Sequence, residues 1–411
     1  MIPRYTPQLP KGSFYLFLRL LYKNELLSGS YIEEFENKFA KYISVKHAVS
    51  FSSARNGLIL LLQQFGISKG DEVVLPSFTC PAVPFAIESV GAKPIFVDVD
   101  NDTFNMNTKL IKAKITKKTK AIIATHIDGQ PCNLDSVMKL ASTYKLKVIE
   151  DCAQAIGAKY KGVKVGKFGD AAYFSFALGK QINTLGGGIV VTNIDRLATN
   201  LKENVKNISL SSKLPIIKKF ILMDFITFFL KPVFLNIFVF PVIYLLNFVR
   251  IDPINLLFED KGGIKKFTKY TNFQAALGLN QMKLLDQSNI KRKENAEVLS
   301  ALLSKNIKQQ KQKKGLQSIF LYYDIIVDGR REVKKKLLNS GIDTQESWNV
   351  SCSSLDKFRK YNCKCPISDQ LEKKSLYLPI NERLGKRDLV YTADKLNKII
   401  RYFNSEKNKI F

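Results

Sequence analysis

The sequence predicts an α/β protein, with a mostly parallel sheet between helices in a large domain and a smaller α+β C-terminal domain. Three observations predict it. Between residue 45 and about residue 195, short apolar runs alternate with helical patterns, the order of a layered α/β architecture. Those runs are nearly continuous in Val, Ile and Phe, as strands covered on both faces require. Polar residues collect just past the C-terminal ends of the runs, where open sheets place their sites.

In chain order, Met1-Ile2-Pro3-Arg4 leads into a polar stretch and not into a signal-peptide core, so a cytoplasmic location with reduced thiols is expected. Ser52-Ser53-Ala54-Arg55-Asn56-Gly57 precedes an apolar helix read as Leu58–Phe65. Glu72–Pro76 is the first buried strand after it, introduced by the turn Lys69-Gly70-Asp71; Pro94–Asp98 and Ala121–Thr125 are the next. A helix with 3.6-residue periodicity over Leu134–Tyr144 leads to the strand Lys147–Asp151, then come Ala172–Phe176 and Gly188–Thr192. After Ser209 the composition shifts: residues 214–250 are rich in Phe, Leu, Ile and Val, with no charge from Pro232 to Val249. A helix over Asn272–Asp286, a Lys-rich loop at 305–314 and a strand at Ile319–Val327 complete the pattern. The division is therefore 1–207, an insert at 208–261, and 262–411.

The 411 residues carry 64 Lys+Arg against 36 Asp+Glu, a formal charge of +28. That surplus favours anionic partners: nucleic acid, a membrane surface or a phosphorylated substrate. No nucleic-acid reading motif is present, so nucleic acid is not expected. Six cysteines lack zinc spacing and there are only two histidines, so no metal site is expected.

Four places carry candidate chemistry. Asp151 ends a buried strand, where a carboxylate either meets a cation or caps the next helix. Gln154, three residues on, reaches the same pocket. Lys180 lies between two buried strands and before Gly186-Gly187-Gly188; it is either one more solvated lysine or an amine whose pKa burial has lowered into a usable nucleophile. The run at 52–57 is either a plain N-cap or a set of backbone amides for a phosphate. Pyridoxal 5'-phosphate (PLP) chemistry asks for this set: a lysine to carry the cofactor as a Schiff base, a carboxylate at its pyridine nitrogen, a phosphate cradle and exclusion of water.

Taken together, the sequence resembles the DegT-type family of PLP-dependent sugar aminotransferases, over residues 2–207 and 271–403. The resemblance is carried by Gly70–Thr79, Val97-Asp98-Val99-Asp100, Gly129–Asp135, Val148–Ala155, Gly166–Asp170 and Gln274–Gly278. It implies a type I PLP-transferase fold and a homodimer with active sites at the subunit interface. It further implies transfer of an amino group, typically from glutamate, to a nucleotide- or lipid-linked keto-sugar in surface-polysaccharide or glycoconjugate biosynthesis. By the same resemblance Lys180 is the cofactor lysine and later the general base, Asp151 the partner of the pyridine nitrogen, Gln154 the glutamine beside the ring and Ser175 a phosphate ligand. Arg55 and Asn56 fall where the family offers backbone amides. The other readings are a PLP-dependent dehydratase, a non-sugar transaminase, or an idle membrane-attached protein of the same fold.

Three positions depart from the pattern. Cys80 stands where an aromatic ring usually stacks on the cofactor, and Ala177 where a histidine often follows the phosphate-binding serine. The partner-subunit asparagine that commonly reaches the phosphate would fall near Phe267. The resemblance does not cover the apolar insert. A single span would separate Lys180 from the helix at Gln274, which the family fold packs together, so an interfacial hairpin at the inner face of the cytoplasmic membrane or a helical pair buried against the partner is expected. Basic residues flank it: Lys213, Lys218, Lys219, Lys231, Arg250, Lys261, Lys265 and Lys266.

Overall fold

The computed structural model describes residues 1–4, 9–229, 234–248 and 267–407. The six apolar runs, joined by a strand at His47–Phe51 that the sequence did not single out, pair into a seven-stranded sheet. Its strands are β1 (His47–Phe51), β2 (Glu72–Pro76), β3 (Lys93–Val97), β4 (Thr119–Thr125), β5 (Lys147–Asp151), β6 (Ala171–Ser175) and β7 (Gly188–Thr192), in the order β1-β7-β6-β5-β4-β2-β3. The contacts β6-β5-β4-β2-β3 are all parallel, while β7 runs antiparallel to both of its neighbours. Burial on both faces explains the unbroken Val/Ile content.

Helices cover the two faces. Phe35 and Phe39 of α2 (Tyr31–Ile43) pack on one face, and Leu58–Leu62 of α3 (Ala54–Gln64) on the other. Ser53 caps α3 by accepting the Asn56 N–H at 3.1 Å, so this helix begins four residues before the expected Leu58. Arg55 and Asn56 therefore sit in its first turn and not in a loop ahead of it. The predicted helix at 272–286 is two: Asn272–Met282 and Leu285–Leu302. The chain bends at Leu284, whose side chain stays exposed while Leu285 enters the core. The first of these is held by a capping box between Thr271 and Gln274.

The small domain has a four-stranded antiparallel sheet, β8 (Lys308–Gln309), β9 (Tyr323–Ile326), β10 (Gln345–Glu346) and β11 (Ser375–Leu378), in the order β8-β9-β11-β10. Only the second half of the predicted strand at 319–327 pairs in it. Ile319 and Leu321 instead donate their N–H groups to Gly129 and Asp128 of the large domain, because their side chains belong to that core. Asp98, just past β3, caps the helix Pro366–Lys374: its carboxylate accepts from the Ile367 and Ser368 amides, both at 2.9 Å, and from Ser368 Oγ at 2.7 Å. A buried two-point ion pair between Arg4 and Asp343 (2.7 and 2.8 Å) fastens the N-terminus to the small domain.

Part of the insert falls outside the described residues, including Lys231, Pro232, Val249, Arg250, Lys261, Lys265 and Lys266. Its first helix, Lys213–Phe229, buries Ile216, Phe220 and Met223 against Phe17, Phe273 and Leu277. A further helix covers Phe240–Phe248. No helix among the described residues is long and apolar enough to cross a membrane.

Candidate active site

Three segments converge beyond the C-terminal ends of the parallel strands. β5 closes on Asp151, β4 runs on into the tight turn at 126–130, and the chain leaving β6 loops through Lys180 before returning as β7. Asp151 is 4% exposed. Its Oδ1 accepts the Ala153 N–H at 3.0 Å, and the Tyr173 hydroxyl and the Lys180 charge act on it. Burial nevertheless raises its pKa above the usual carboxylate value. Lys180 shows the opposite shift. Burial lowers its ammonium, against the attraction of Cys80, Asp151 and Asp128. The half-buried Lys180 amine thus feels both carboxyls, and each carboxyl feels the Lys180 charge.

Gln154 is fixed at both ends of its amide: Oε1 accepts the Asp128 N–H at 2.9 Å and Nε2 donates to Asn349 Oδ1 at 2.8 Å. Asp128 adopts a left-handed backbone (φ 56°). Its Oδ1 accepts from Tyr377 at 2.8 Å and from Asn349 Nδ2 at 3.2 Å. Its Oδ2 is buried with no hydrogen-bond partner among the described residues. Burial pushes its carboxyl up to about 7, against the Tyr377 hydrogen bond and the Lys180 charge. Tyr322 lies flat on Tyr377, with ring centroids 4.3 Å apart, and its hydroxyl donates to the carbonyl of Gly179, next to Lys180. Asp128, Asn349, Tyr322 and Tyr377 went unmentioned in the sequence reading. Asp128 alone left a signal there, as an acid three residues past a buried strand.

Ser175 ends β6 opposite Gly188, and its Oγ accepts the Ala177 N–H at 3.4 Å. Gly188 in turn touches the start of α3; a Cβ on it would lie 2.5 Å from the Ala54 backbone. The end of β6 thus lies one strand away from the start of α3, whose dipole is positive there. The Asn56 amide is already taken by Ser53. The Arg55 side chain lines a separate surface cavity of about 560 Å³ with Glu88, Lys357 and Tyr361. Cys80 is half-buried beside Lys180.

Behind Asp151 lie His126, Glu150 and Cys152, with ligand atoms within 4.8 Å of one another. Their hydrogen bonds are largely spoken for. Glu150 accepts from the amides of Gly166, Phe168 and Gly169, at 2.7 to 2.9 Å. His126 Nδ1 accepts the Cys132 N–H at 3.1 Å, which puts the ring proton on Nε2, facing Glu150. This cluster anchors the loop at 166–169.

A large, mostly parallel sheet between helices, with a lysine and a buried carboxylate past its strand ends, places the chain in the α/β class. The model of the DegT/DnrJ/EryC1/StrS aminotransferase family matches residues 13–213 and 259–397, and the chain belongs to that family. Among its relatives, a GDP-perosamine synthase of Escherichia coli O157:H7 is 50% identical over 165 residues, 40% of this chain and 45% of the synthase. A dTDP-3-amino-3,6-dideoxy-alpha-D-galactopyranose transaminase of Aneurinibacillus thermoaerophilus is 43% identical over 184 residues, 44% of this chain and 51% of that enzyme. The chain spans about half the length of these curated relatives. In three dimensions it is similar to DesI, solved in the presence of its TDP-sugar product, with a TM-score of 0.76 and 25% identity over 99% of this chain and 95% of that one. The fold is the type I PLP-transferase fold.

Proposed function

We propose that the protein is a PLP-dependent aminotransferase that transfers an amino group, from glutamate, to a nucleotide-linked keto-sugar for polysaccharide biosynthesis. One observation carries the reading: past the ends of β5 and β6 the Lys180 and Asp151 charges act on each other, while desolvation lowers the amine and raises the acid. The residues fit the cofactor. Asp151 is a desolvated carboxyl suited to a pyridinium cation, Ser175 and the start of α3 suit a phosphate, and Gln154 is held rigidly beside them.

PLP, when bound, supplies an electron sink and a carrier for the amino group. The chain's own residues do the rest. Lys180 attaches the cofactor and, once free, holds and moves the proton at the substrate carbon; its lowered pKa keeps the amine usable as a base. Asp151 keeps positive charge on the ring nitrogen. Gln154 positions the ring, and Cys80 presents a thiol where relatives stack an aromatic. The sugar-nucleotide relatives favour this reading over a dehydratase or an idle protein.

The same reading makes the protein a homodimer in which each site needs the partner, and divides the chain at 1–207, 208–261 and 262–411, in accord with the gap in the family match. It also places the protein at the inner face of the cytoplasmic membrane as a peripheral protein held by the insert. The test is an absorbance spectrum of the purified protein before and after glutamate, with the borohydride-reduced adduct mapped by peptide mass. An adduct on Lys180 and bleaching by glutamate are expected; a colourless protein, or an adduct on another lysine, overturns the reading.

A further inference from the structure

Helix α1, Ser13–Tyr22, reads SFYLFLRLLY and is apolar on nearly every side. Its inner side is ordinary core: Leu16, Phe17 and Leu20 pack on Phe220 and Phe273. Its outer side carries Phe14, Tyr15, Leu18 and Tyr22 into solvent, with Tyr15 72% and Tyr22 93% exposed. The insert helix Lys213–Phe229 repeats the arrangement, burying Phe220 and exposing Ile221 and Phe225.

The two helices lie side by side and antiparallel. Leu9, just ahead of α1, donates its N–H to Thr227 near the end of the insert helix. Phe17 stacks on Phe220 at 4.3 Å, and Lys213 hydrogen-bonds Asn24 just past the end of α1. Both helices rest on Phe273, whose ring centroid is 5.4 Å from Phe17 and 5.1 Å from Phe220. The sides turned away from Phe273 therefore form one outer surface. A surface helix is normally polar there, and a contiguous apolar patch marks an interaction site.

Charge indicates what covers it. Lys11, Lys23 and Lys213 are exposed at the ends of the pair. Lys218 lies exposed within the outer arc of the insert helix, one turn from both Leu214 and Ile221. In a dry protein interface such a lysine is a desolvated charge. At a bilayer it snorkels to a lipid phosphate while its methylenes stay among apolar neighbours. Tyr15 and Tyr22, with apolar bodies and polar tips, suit the headgroup level, and a net charge of +28 adds attraction to anionic lipid.

We propose that the outer face of this helix pair docks the protein on an anionic bilayer, both helices lying in the plane of the interface. The proposal rests on the peripheral reading above and names the surface that carries it, half of it contributed by an N-terminal helix outside the insert.

Full-length, cofactor-loaded protein is sedimented with phosphatidylcholine vesicles and with vesicles that also contain phosphatidylglycerol. Binding to the anionic vesicles is expected, weakening as salt rises. Tyr15→Ser/Leu18→Ser/Tyr22→Ser, and separately Ile221→Ser/Phe225→Ser, should lower that binding by about tenfold or more with cofactor absorbance and oligomeric state unchanged. Lys218→Glu, an exposed substitution that leaves the core intact, should lower it by about fivefold. Wild type that ignores both vesicles overturns the peripheral reading and this proposal together. Variants that bind like wild type overturn this proposal alone and leave attachment to another surface. Variants that dissociate into monomers while still binding vesicles assign the face to a second copy of the chain, which also overturns it. Should the serine variants fail to fold, unchanged vesicle binding by Lys218→Glu is the overturning result.

Discussion

Asp151 and Asp128 are both buried acids within reach of the Lys180 charge, and the proposed chemistry separates them. In the proposed chemistry Asp151 would hold the ring nitrogen, so Asp151→Asn should retain cofactor yet lose turnover by about two orders of magnitude or more. Lys180→Ala should lose both the covalent adduct and transamination. A spectrum and a single-turnover assay distinguish the two. Asp128 supports a different prediction, on stability. Its folded pKa is raised from the ordinary 3.8 to about 7, so its stabilising contribution is complete below 3.8 and lost as pH rises through about 7. Asparagine cannot ionise and keeps the geometry needed for Tyr377. Thermal unfolding of the cofactor-free protein should therefore show Asp128→Asn gaining on wild type at about pH 8 relative to about pH 5. An equal difference at both values would mean that Asp128 does not titrate there.

Among the elements, the helix Pro366–Lys374 depends on a residue far from it in sequence. Asp98 satisfies two of its first amides and a serine hydroxyl, a cap delivered by the large domain to the small one. Asp98→Ala should cost about 2 kcal/mol, read as a lower urea midpoint with an unchanged slope. The insert helix Lys213–Phe229 is likewise half structural. Phe220 is 1% exposed, stacked on Phe17 and edge-on to Phe273, so Phe220→Ala should cost about 3–5 kcal/mol. Deleting the whole of 214–250 therefore removes core as well as surface. Substitutions confined to the outer face are the clean way to probe attachment.

For the molecule as a whole, the network around Asp128 comes from both domains: Gln154 and Asp128 from the large one, Asn349 and Tyr377 from the small one, with Tyr322 stacked on Tyr377 and bonded to Gly179. Any motion between the domains is thus felt at Gln154 and, through Gly179, next to Lys180. The proposed second subunit would complete the site. Sedimentation velocity at assay concentration should show a dimer; a fully active monomer would contradict the proposal.

The sequence by itself determined six of the seven strands of the large sheet; the edge strand His47–Phe51 emerged only in the structure. Continuous Val/Ile runs are buried by covering a sheet on both faces; local context suggested Asp151, Gln154 and Lys180, and only the family resemblance singled out Ser175. Its errors were local as well: α3 starts at Ala54 because Ser53 caps it, and the helix from Asn272 breaks at Leu284, details set by side-chain hydrogen bonding and packing that periodicity does not see. Only the tertiary structure decided the partners that arrive from afar. Asn349 and Tyr377 reach Asp128 across more than two hundred residues of chain, and an N-terminal helix shares its outer face with the insert. Such contacts leave no periodicity or spacing in the sequence, because they depend on where two separately folded segments come to lie.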